Sequence, residues 1–402
     1  MNIAVDTNCI LPGRVGGIEN YTNALIEALA GPGSPADRVI VLTRPENHQS
    51  FARFASRRTV IHAVDRPTYQ GRPVANWASL TRNDPAAACG SLAKFQVKKA
   101  ALLRKLRVDV LHCPGNTINP IDLELPIVLN LHDLQHRHFP QHFSTSEIDN
   151  RETWWTASAR RADALIAASD YVRDDLVEQL DVDGDKIFVT PDPIESAFTD
   201  EVDATAVDRV RANFRVPAVS FLYPAAAWPH KNHHRLVDAF KLANIPEARL
   251  LLTGGGQADG QLAAMVADAG MTGRIELLGR VTTAELVGLY RSVTATLVPS
   301  RHESWSIPVA EAMACGCPVA CSDVTSLPQQ VDDAAILFGP DDVPAMADAM
   351  RRLATDAELR STLVERGYRR AAYSDGRHFV QTLTRAYSYA AECRSMSKRR
   401  AA

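Results

Sequence analysis

Residues 299–323 read PSRHESWSIPVAEAMACGCPVACSD. An apolar run, Ala295–Val298, leads into this stretch, and a second, Pro318–Cys321, lies near its end. Between them Pro308 falls in the first turn of a helix, where its fixed φ and missing N–H cost nothing. Gly316 ends that helix. The stretch is therefore strand, loop, helix, strand. The loop carries Glu303, Ser304, Trp305 and Ser306 and the helix carries Glu311. Ligands of open α/β sheets bind outside the carboxyl ends of their strands, which is where this loop lies.

The same alternation extends outward in both directions. In the second half, strands are predicted at Phe221–Tyr223, Arg249–Thr253, Ile275–Leu278 and Ala335–Phe338. In the first half they are predicted at Ile3–Val5, Val39–Leu42, Thr59–Ala63, Val108–His112, Ile127–Leu131, Ala164–Ala168 and Ile187–Val189. Helical stretches such as Tyr21–Ala30 and Ser169–Leu180 separate them. Continuous Val, Ile and Leu runs between helices indicate parallel sheets covered on both faces. One sheet of all these strands would be unusually large, so two doubly wound domains fit better. Pro191, Pro193 and Pro217 bracket a polar stretch, which places a linker near 193–218. The expected division is residues 1–195, residues 210–375, and a C-terminal helix over 376–402 that crosses back to the first domain and ends in a basic tail. Two such domains facing each other enclose an inter-domain cleft.

Composition agrees with a globular enzyme. The chain has 402 residues, of which 46% are hydrophobic and 23% charged, which argues against disorder, collagen and coiled coil. Its net charge of −3 creates no global field for nucleic acid or an anionic membrane. Seven cysteines with no CxxC pair suit a reduced, intracellular chain. The start, MNIAVDTNCILPG, lacks the basic and apolar regions of a signal peptide. No apolar run approaches the ~20 residues of a membrane span. A cytoplasmic location is expected, at most peripheral to the inner face of a membrane.

Three further segments carry chemistry. GGIENY, Gly16–Tyr21, follows the first strand and opens a helix. Paired glycines let backbone approach a phosphate, and the helix start supplies unpaired N–H groups. A tight βα turn is the plainer alternative. The strand Ile127–Leu131 runs into His132 and Asp133, a polar pair at a carboxyl end. In YPAAAWPHKNHHRLVDAF, Lys231 lies where a helix begins, placed to meet a pyrophosphate as a point charge.

Metal patterns are weak. His136, His138 and His142 lack a matching carboxylate or thiolate set. His230, His234 and Asp238 read better as a solvated helix face. Cys315, Cys317 and Cys321 read as small buried thiols. Asp181, Asp183 and Asp185 lack the glutamate of a calcium loop and read as a surface turn.

Together, the Glu303-to-Glu311 spacing, EAMACGCPV, HKN at 230–232, His132–Asp133 and GGIENY resemble the retaining glycosyltransferases of family 4. The resemblance spans residues 1 to about 390. It implies a GT-B fold, α/β, with two facing Rossmann-like doubly wound domains, acceptor on the first and nucleotide-sugar donor on the second. It also implies no cofactor and no metal. Position by position, Glu311 would accept bonds from the donor ribose and Glu303 from the transferred sugar. Lys231 and the N–H groups of Trp305, Ser306 and Ile307 would hold the diphosphate, with Gly16 and Gly17 approaching from the other domain. Val281 would lie near the base. His132 would stand beside the reacting sugar, and Tyr21, His132 and Asp133 would meet the acceptor. Glu303, His132 and Lys231 are thus the expected catalytic set.

Two departures stand out. Ala226 occupies the approximate place of an arginine common in the family, which leaves His230 or Arg301 to supply that donor. Ser304 and Ser306 replace common glycines but keep their N–H groups. A nucleotide-sugar 2-epimerase of the same fold and a non-catalytic nucleotide-sugar-binding protein are the alternatives. The acceptor is not legible: a polysaccharide, a lipid-linked sugar and a small natural product all fit. Residues 94–107, KFQVKKAALLRKLR, contain six basic and no acidic residues. Their face of Phe95, Leu102, Leu103 and Leu106 could lie on a membrane surface or pack into the core.

Overall fold

The structure, a computed structural model, describes the backbone of residues 1–10, 17–64, 68–69, 72–73, 85–255, 259–372 and 376–401. The chain forms two compact units, Met1–Pro193 with Gly376–Ala402, and Ile194–Asp375.

The strands of the first unit are β1 (Asn2–Asp6), β2 (Arg38–Thr43), β3 (Thr59–Ala63), the short pair β4 (Thr68–Tyr69) and β5 (Arg72–Pro73), then β6 (Val110–Cys113), β7 (Ile127–Asn130), β8 (Ala164–Ala167) and β9 (Ile187–Val189). Those of the second are β10 (Ser220–Pro224), β11 (Arg249–Thr253), β12 (Ile275–Gly279), β13 (Ala295–Val298), β14 (Val319–Ser322) and β15 (Ala335–Phe338). Each strand expected from the sequence is present, with ends shifted by at most about two residues. The antiparallel pair β4–β5 was not anticipated, because two-residue strands leave no periodic signal.

The seven-stranded sheet runs β3-β2-β1-β6-β7-β8-β9 and the six-stranded sheet β12-β11-β10-β13-β14-β15, with parallel pairing throughout. Both orders reverse beside their first strand, the topological switch point where doubly wound sheets bind ligands. In the second sheet that point lies between β10 and β13.

Two apolar clusters cover the faces of the first sheet. One includes Ala4, Ile40, Leu111 and Leu129; the other includes Ile3, Val5, Val41, Val110 and Val128. The alternation of Ile3, Ala4 and Val5 between them is the two-residue period of a strand. The terminal helix Gly376–Ala401 lays Phe379, Leu383, Ala386, Tyr387 and Ala390 on the second face. Their spacing is one helical stripe.

The linker expectation needs correction. Residues 194–218 belong to the second unit, which starts at Ile194 rather than near 210. Phe198 and Val216 are buried in its core, and between them runs a helix, Ala204–Asn213, capped by the Asp203 side chain. None of that helix's own residues is buried, so its sequence is polar enough to resemble a linker.

The helix Pro85–Lys105 turns Phe95, Lys99 and Leu103 into the core and leaves Lys94, Lys98, Arg104 and Lys105 exposed. Phe95 and Leu103 lie in the first cluster, and Leu102 and Leu106 pack against it. The apolar face that a membrane-surface helix would need is therefore spent on the protein's own sheet. Among the described residues no helix is long and apolar enough to cross a membrane.

Candidate active site

Lys231 and Glu303 stand on either side of the switch point of the second sheet. Lys231 ends a short turn, Pro229–Lys231, after β10, and Glu303 lies in the loop after β13. Their side chains meet: Lys231 Nζ lies 2.8 Å from Glu303 Oε1 and 3.0 Å from Oε2. Glu303 is 7% exposed.

Both turns are fixed by their neighbours. The Tyr223 hydroxyl donates to the Lys231 carbonyl at 2.9 Å and lies 3.1 Å from Ser300 Oγ. Asn232 adopts a left-handed φ of 60°, which asparagine tolerates better than most residues. Its side-chain amide donates to Pro299 O (2.9 Å) and Pro340 O (2.7 Å). That explains the asparagine of HKN: it ties the β10 turn to the β13 loop. Glu303 is anchored from the loop after β14. Its N–H donates to Thr325 Oγ1, whose hydroxyl donates back to its carbonyl at 2.8 Å, and Ser326 Oγ donates to the same carbonyl at 3.0 Å.

Glu311 sits in the helix Ile307–Ala314 and is buried. The Tyr290 hydroxyl donates to its Oε2 at 2.9 Å. Burial still dominates and pushes the carboxyl up to about 7, against the Tyr290 bond that lowers it. Trp305 and Ser306 are buried beside this helix start, and Val281 lies half-buried after β12.

The expected roles need three adjustments here. The Ser306 N–H donates to Gln330 Oε1 at 2.9 Å, and Gln330 Nε2 returns a bond to Ser306 O at 2.8 Å. A buried N–H with a good partner is not free for a diphosphate, which leaves Trp305 and Ile307 as the N–H donors of this loop. Arg301 is turned to Asp341, with Nη1 3.2 Å from Oδ2, so it does not replace the missing arginine in this arrangement. His230 receives the Arg301 N–H on its carbonyl at 2.8 Å.

In the first unit, Gly17 opens the helix Gly17–Ala30, and a Cβ added there would meet nothing within 4 Å. Gly16 lies outside the described residues. His132 and Tyr21 come together, with ring centroids 5.1 Å apart in an edge-to-face contact. His132 Nε2 lies 2.8 Å from Pro114 O, and its N–H donates to Asn116 Oδ1. A carbonyl only accepts, so Nε2 carries a hydrogen. Tyr21 is 1% exposed, which corrects its expected contact with an acceptor. It buttresses His132 instead. Asp133 Oδ1 accepts the Gln135 N–H at 3.0 Å, a local turn.

The other candidate metal residues do not gather. His136 Nε2 pairs with Glu152 (3.0 Å) and His138 Nε2 with Asp175 (2.9 Å), and no group of three or more potential ligands forms among the described residues. Cys315, Cys317 and Cys321 are buried free thiols, pushed up by burial, Cys315 to about 11 and Cys317 to about 12.

Two families match the chain in tandem: residues 15–198 match "Glycosyltransferase Family 4" and residues 208–370 match "Glycosyl transferases group 1". The chain belongs to glycosyltransferase family 4. This family 4 glycosyltransferase is 28% identical over 280 residues to O-antigen chain mannosyltransferase B of Escherichia coli, covering 68% of the chain and 72% of that protein. It is 23% identical over 369 residues to the alpha-D-kanosaminyltransferase of Streptomyces kanamyceticus, covering 85% and 91%. Against the mannosyltransferase RfbU of Salmonella typhimurium it is 27% identical, and the match spans about half of each protein: 49% of the chain and 52% of RfbU. Its fold is GT-B: sucrose-phosphate synthase of Thermosynechococcus elongatus superposes with a TM-score of 0.75 at 22% identity, covering 96% of this chain and 98% of that one. Anabaena Alr3699/HepE, solved with UDP and glucose, gives 0.74 at 18% identity, covering 96% and 99%.

Several residues of this glycosyltransferase escaped the sequence reading. Gln330, Thr325 and Tyr290 hold the Glu303 and Glu311 segments, yet each is a lone polar residue in an ordinary helix or turn. Asp192, between two prolines, belongs to no motif and was passed over. It is 6% exposed.

Proposed function

We propose that the chain moves a hexosyl or amino-hexosyl unit from a nucleotide-diphosphate sugar to an acceptor hydroxyl, with retention at the anomeric carbon and without a metal ion. The observation that carries this reading is Lys231 Nζ clamped by Glu303 at the switch point of the second sheet, beside the helix that holds Glu311.

A nucleoside diphosphate gains negative charge as the glycosidic bond breaks. A fixed lysine and the N–H groups of Trp305 and Ile307 are aimed at such charge before it develops, which is the cheapest way to stabilise it. Lys231 then fills the neutralising role that a divalent cation plays elsewhere. Glu303 serves two purposes: it orients Lys231, and it offers carboxylate oxygens to hydroxyls of the transferred sugar. Glu311 accepts from the ribose, remote from the bond that breaks. Val281 serves the base, and His230 is a donor-side candidate. His132 and Asp133 serve the sugar and acceptor hydroxyls.

With retention, the acceptor hydroxyl attacks on the leaving-group face, and the departing phosphate oxygen takes its proton. The transferase names of the curated relatives support transfer over the epimerase alternative, and the bound UDP of the Anabaena neighbour fits a nucleotide-sugar substrate. The test is a donor screen: purified chain with UDP-, GDP-, ADP- and dTDP-sugars, reading binding and slow hydrolysis. At least one nucleotide sugar binds and is slowly cleaved in wild type, and Lys231→Met removes the cleavage. Binding of none of them overturns the reading.

A further inference from the structure

The second unit has a cavity at the end of its sheet away from Lys231 and Glu303. Ala218, Thr294 and Pro318 lie just before β10, β13 and β14 and line an opening of about 380 Å³. That is within the size range of small-ligand sites. Lys231 and Glu303 follow β10 and β13, so the length of those strands, roughly 13–17 Å at ~3.3 Å per residue, separates the two places. The end of the ladder fixes the cavity floor: Thr294 Oγ1 accepts the Ser220 N–H at 3.0 Å and donates to Ala218 O at 3.3 Å.

Two arginines line the cavity, and among the described residues no acidic one does. Arg211 is exposed in the last turn of the helix Ala204–Asn213, and its guanidinium meets no hydrogen-bond or ion-pair partner among the described residues. Arg360 is half-buried in the helix Ala357–Ala371. Its Nη1 donates to Leu353 O (2.8 Å) and Ala354 O (3.3 Å) at the end of the helix Val343–Thr355. One nitrogen thus anchors the guanidinium. Its Nε–Nη2 edge, a fork that can grip two oxygens at once, meets no partner among the described residues. The adjacent Ser361 hydroxyl lines the same cavity and is equally unspent.

Other arginines of this unit are paired: Arg249 with Glu276, Arg301 with Asp341 and Arg366 with Asp333. Two cations in one cavity without a counter-charge repel each other, and a bound anion reverses that balance. Nearby helix-end carbonyls do not supply the charge. Val210 O and Arg211 O accept the Phe214 and Val216 N–H groups, at 3.0 and 2.9 Å, and Arg360 itself takes Leu353 O and Ala354 O. A carboxylate has only two oxygens, which one guanidinium satisfies. A tetrahedral phosphate has enough for the Arg360 fork, Arg211 and the Ser361 hydroxyl together.

We infer that Arg211, Arg360 and Ser361 form a binding site for a phosphate group, free or carried on a small molecule, at the amino ends of β10, β13 and β14 and separate from the donor site. The site belongs to the second unit alone and does not depend on the assignment of the donor chemistry.

Titration calorimetry on the full chain tests it, in about 0.15 M salt, where charge attraction beyond ~8 Å is screened. The probes are inorganic phosphate and glucose 6-phosphate, with glucose as the neutral control, on wild type, Arg211→Gln, Arg360→Lys and Lys231→Met. Arg211 makes no side-chain bond that folding needs, so its glutamine variant keeps the wild-type thermal melt. Lysine at 360 keeps the charge and loses the fork. Wild type and Lys231→Met are expected to bind a phosphate probe alike, each arginine variant to bind it about tenfold or more weakly, as loss of a charge-assisted bond implies, and glucose not to bind. Tighter binding of glucose 6-phosphate than of phosphate supports a site for a phosphate monoester, and equal binding supports one for free phosphate. Binding of neither probe overturns the inference. So does equal binding by wild type and both arginine variants, or binding that Lys231→Met abolishes and the arginine variants keep.

Discussion

Replacing Glu311 by glutamine separates two consequences of one buried carboxyl. Burial raises its pKa to about 7 from an ordinary 4.5. The folded chain therefore retains a proton that the unfolded chain releases between those values. Stability is lost as pH rises through that window, because the folded state binds more protons there. At about 1.4 kcal/mol per pK unit, the full penalty above pH 7 is about 3 kcal/mol. Glutamine has the same size, still accepts from the Tyr290 hydroxyl and never ionises. The variant is expected to exceed wild type by about 3 kcal/mol near pH 8 and by less than about 1 kcal/mol near pH 5. Above pH 7, where Glu311 is ionised, the same change removes a charged acceptor from the proposed ribose contact. A charge-assisted bond is worth about 1.5–3 kcal/mol, so nucleotide affinity should fall roughly 10- to 150-fold. Urea midpoints at the two pH values measure the first effect, and calorimetric titration with the preferred nucleoside diphosphate near pH 8 measures the second. A variant no more stable near pH 8 than wild type, with unchanged nucleotide affinity, refutes both the burial argument and the ribose assignment.

Gln330→Ala leaves the N–H of buried Ser306 without a partner, while its carbonyl keeps the Val309 and Ala310 N–H groups, so it should cost about 1–3 kcal/mol in urea unfolding and loosen the Glu303–Glu311 loop, seen as faster amide exchange there. Ending the chain before Gly376 strips Phe379, Leu383 and Tyr387 from the first sheet, at about 1.5–3 kcal/mol each. That total rivals the stability of a whole domain, so the first unit should lose its cooperative transition in calorimetry while the second keeps its own. Activity should persist in excess EDTA, since Lys231 and backbone N–H groups suffice for the diphosphate; loss restored by Mn²⁺ or Mg²⁺ would show that the anion site has been misassigned.

The sheets were legible because their central strands are buried on both faces and therefore read as continuous apolar runs, as in Ile127–Asn130 and Ala295–Val298. The loop of Glu303 and the helix of Glu311 were legible because Pro308 and Gly316 punctuate them. What the sequence could not reveal is pairing over distance. Lys231 and Glu303 are 72 residues apart, and only the strand order β10-β13 makes them neighbours. Gln330 was invisible for the same reason, since a lone glutamine in a short helix carries no pattern. The stretch after Pro193 misled because its helix buries nothing of its own and is held by Phe198 and Val216 at its flanks.

The most direct test of the central claim is stereochemical and needs no acceptor. Donor hydrolysis by the wild-type chain can be followed by proton NMR within seconds to minutes of mixing, before mutarotation scrambles the product. Attack on the leaving-group face, with the diphosphate held by Lys231, predicts that an α-linked nucleotide sugar first releases the α-anomer. First release of the β-anomer would mean inversion, and the mechanism assigned to Lys231 and Glu303 would be wrong.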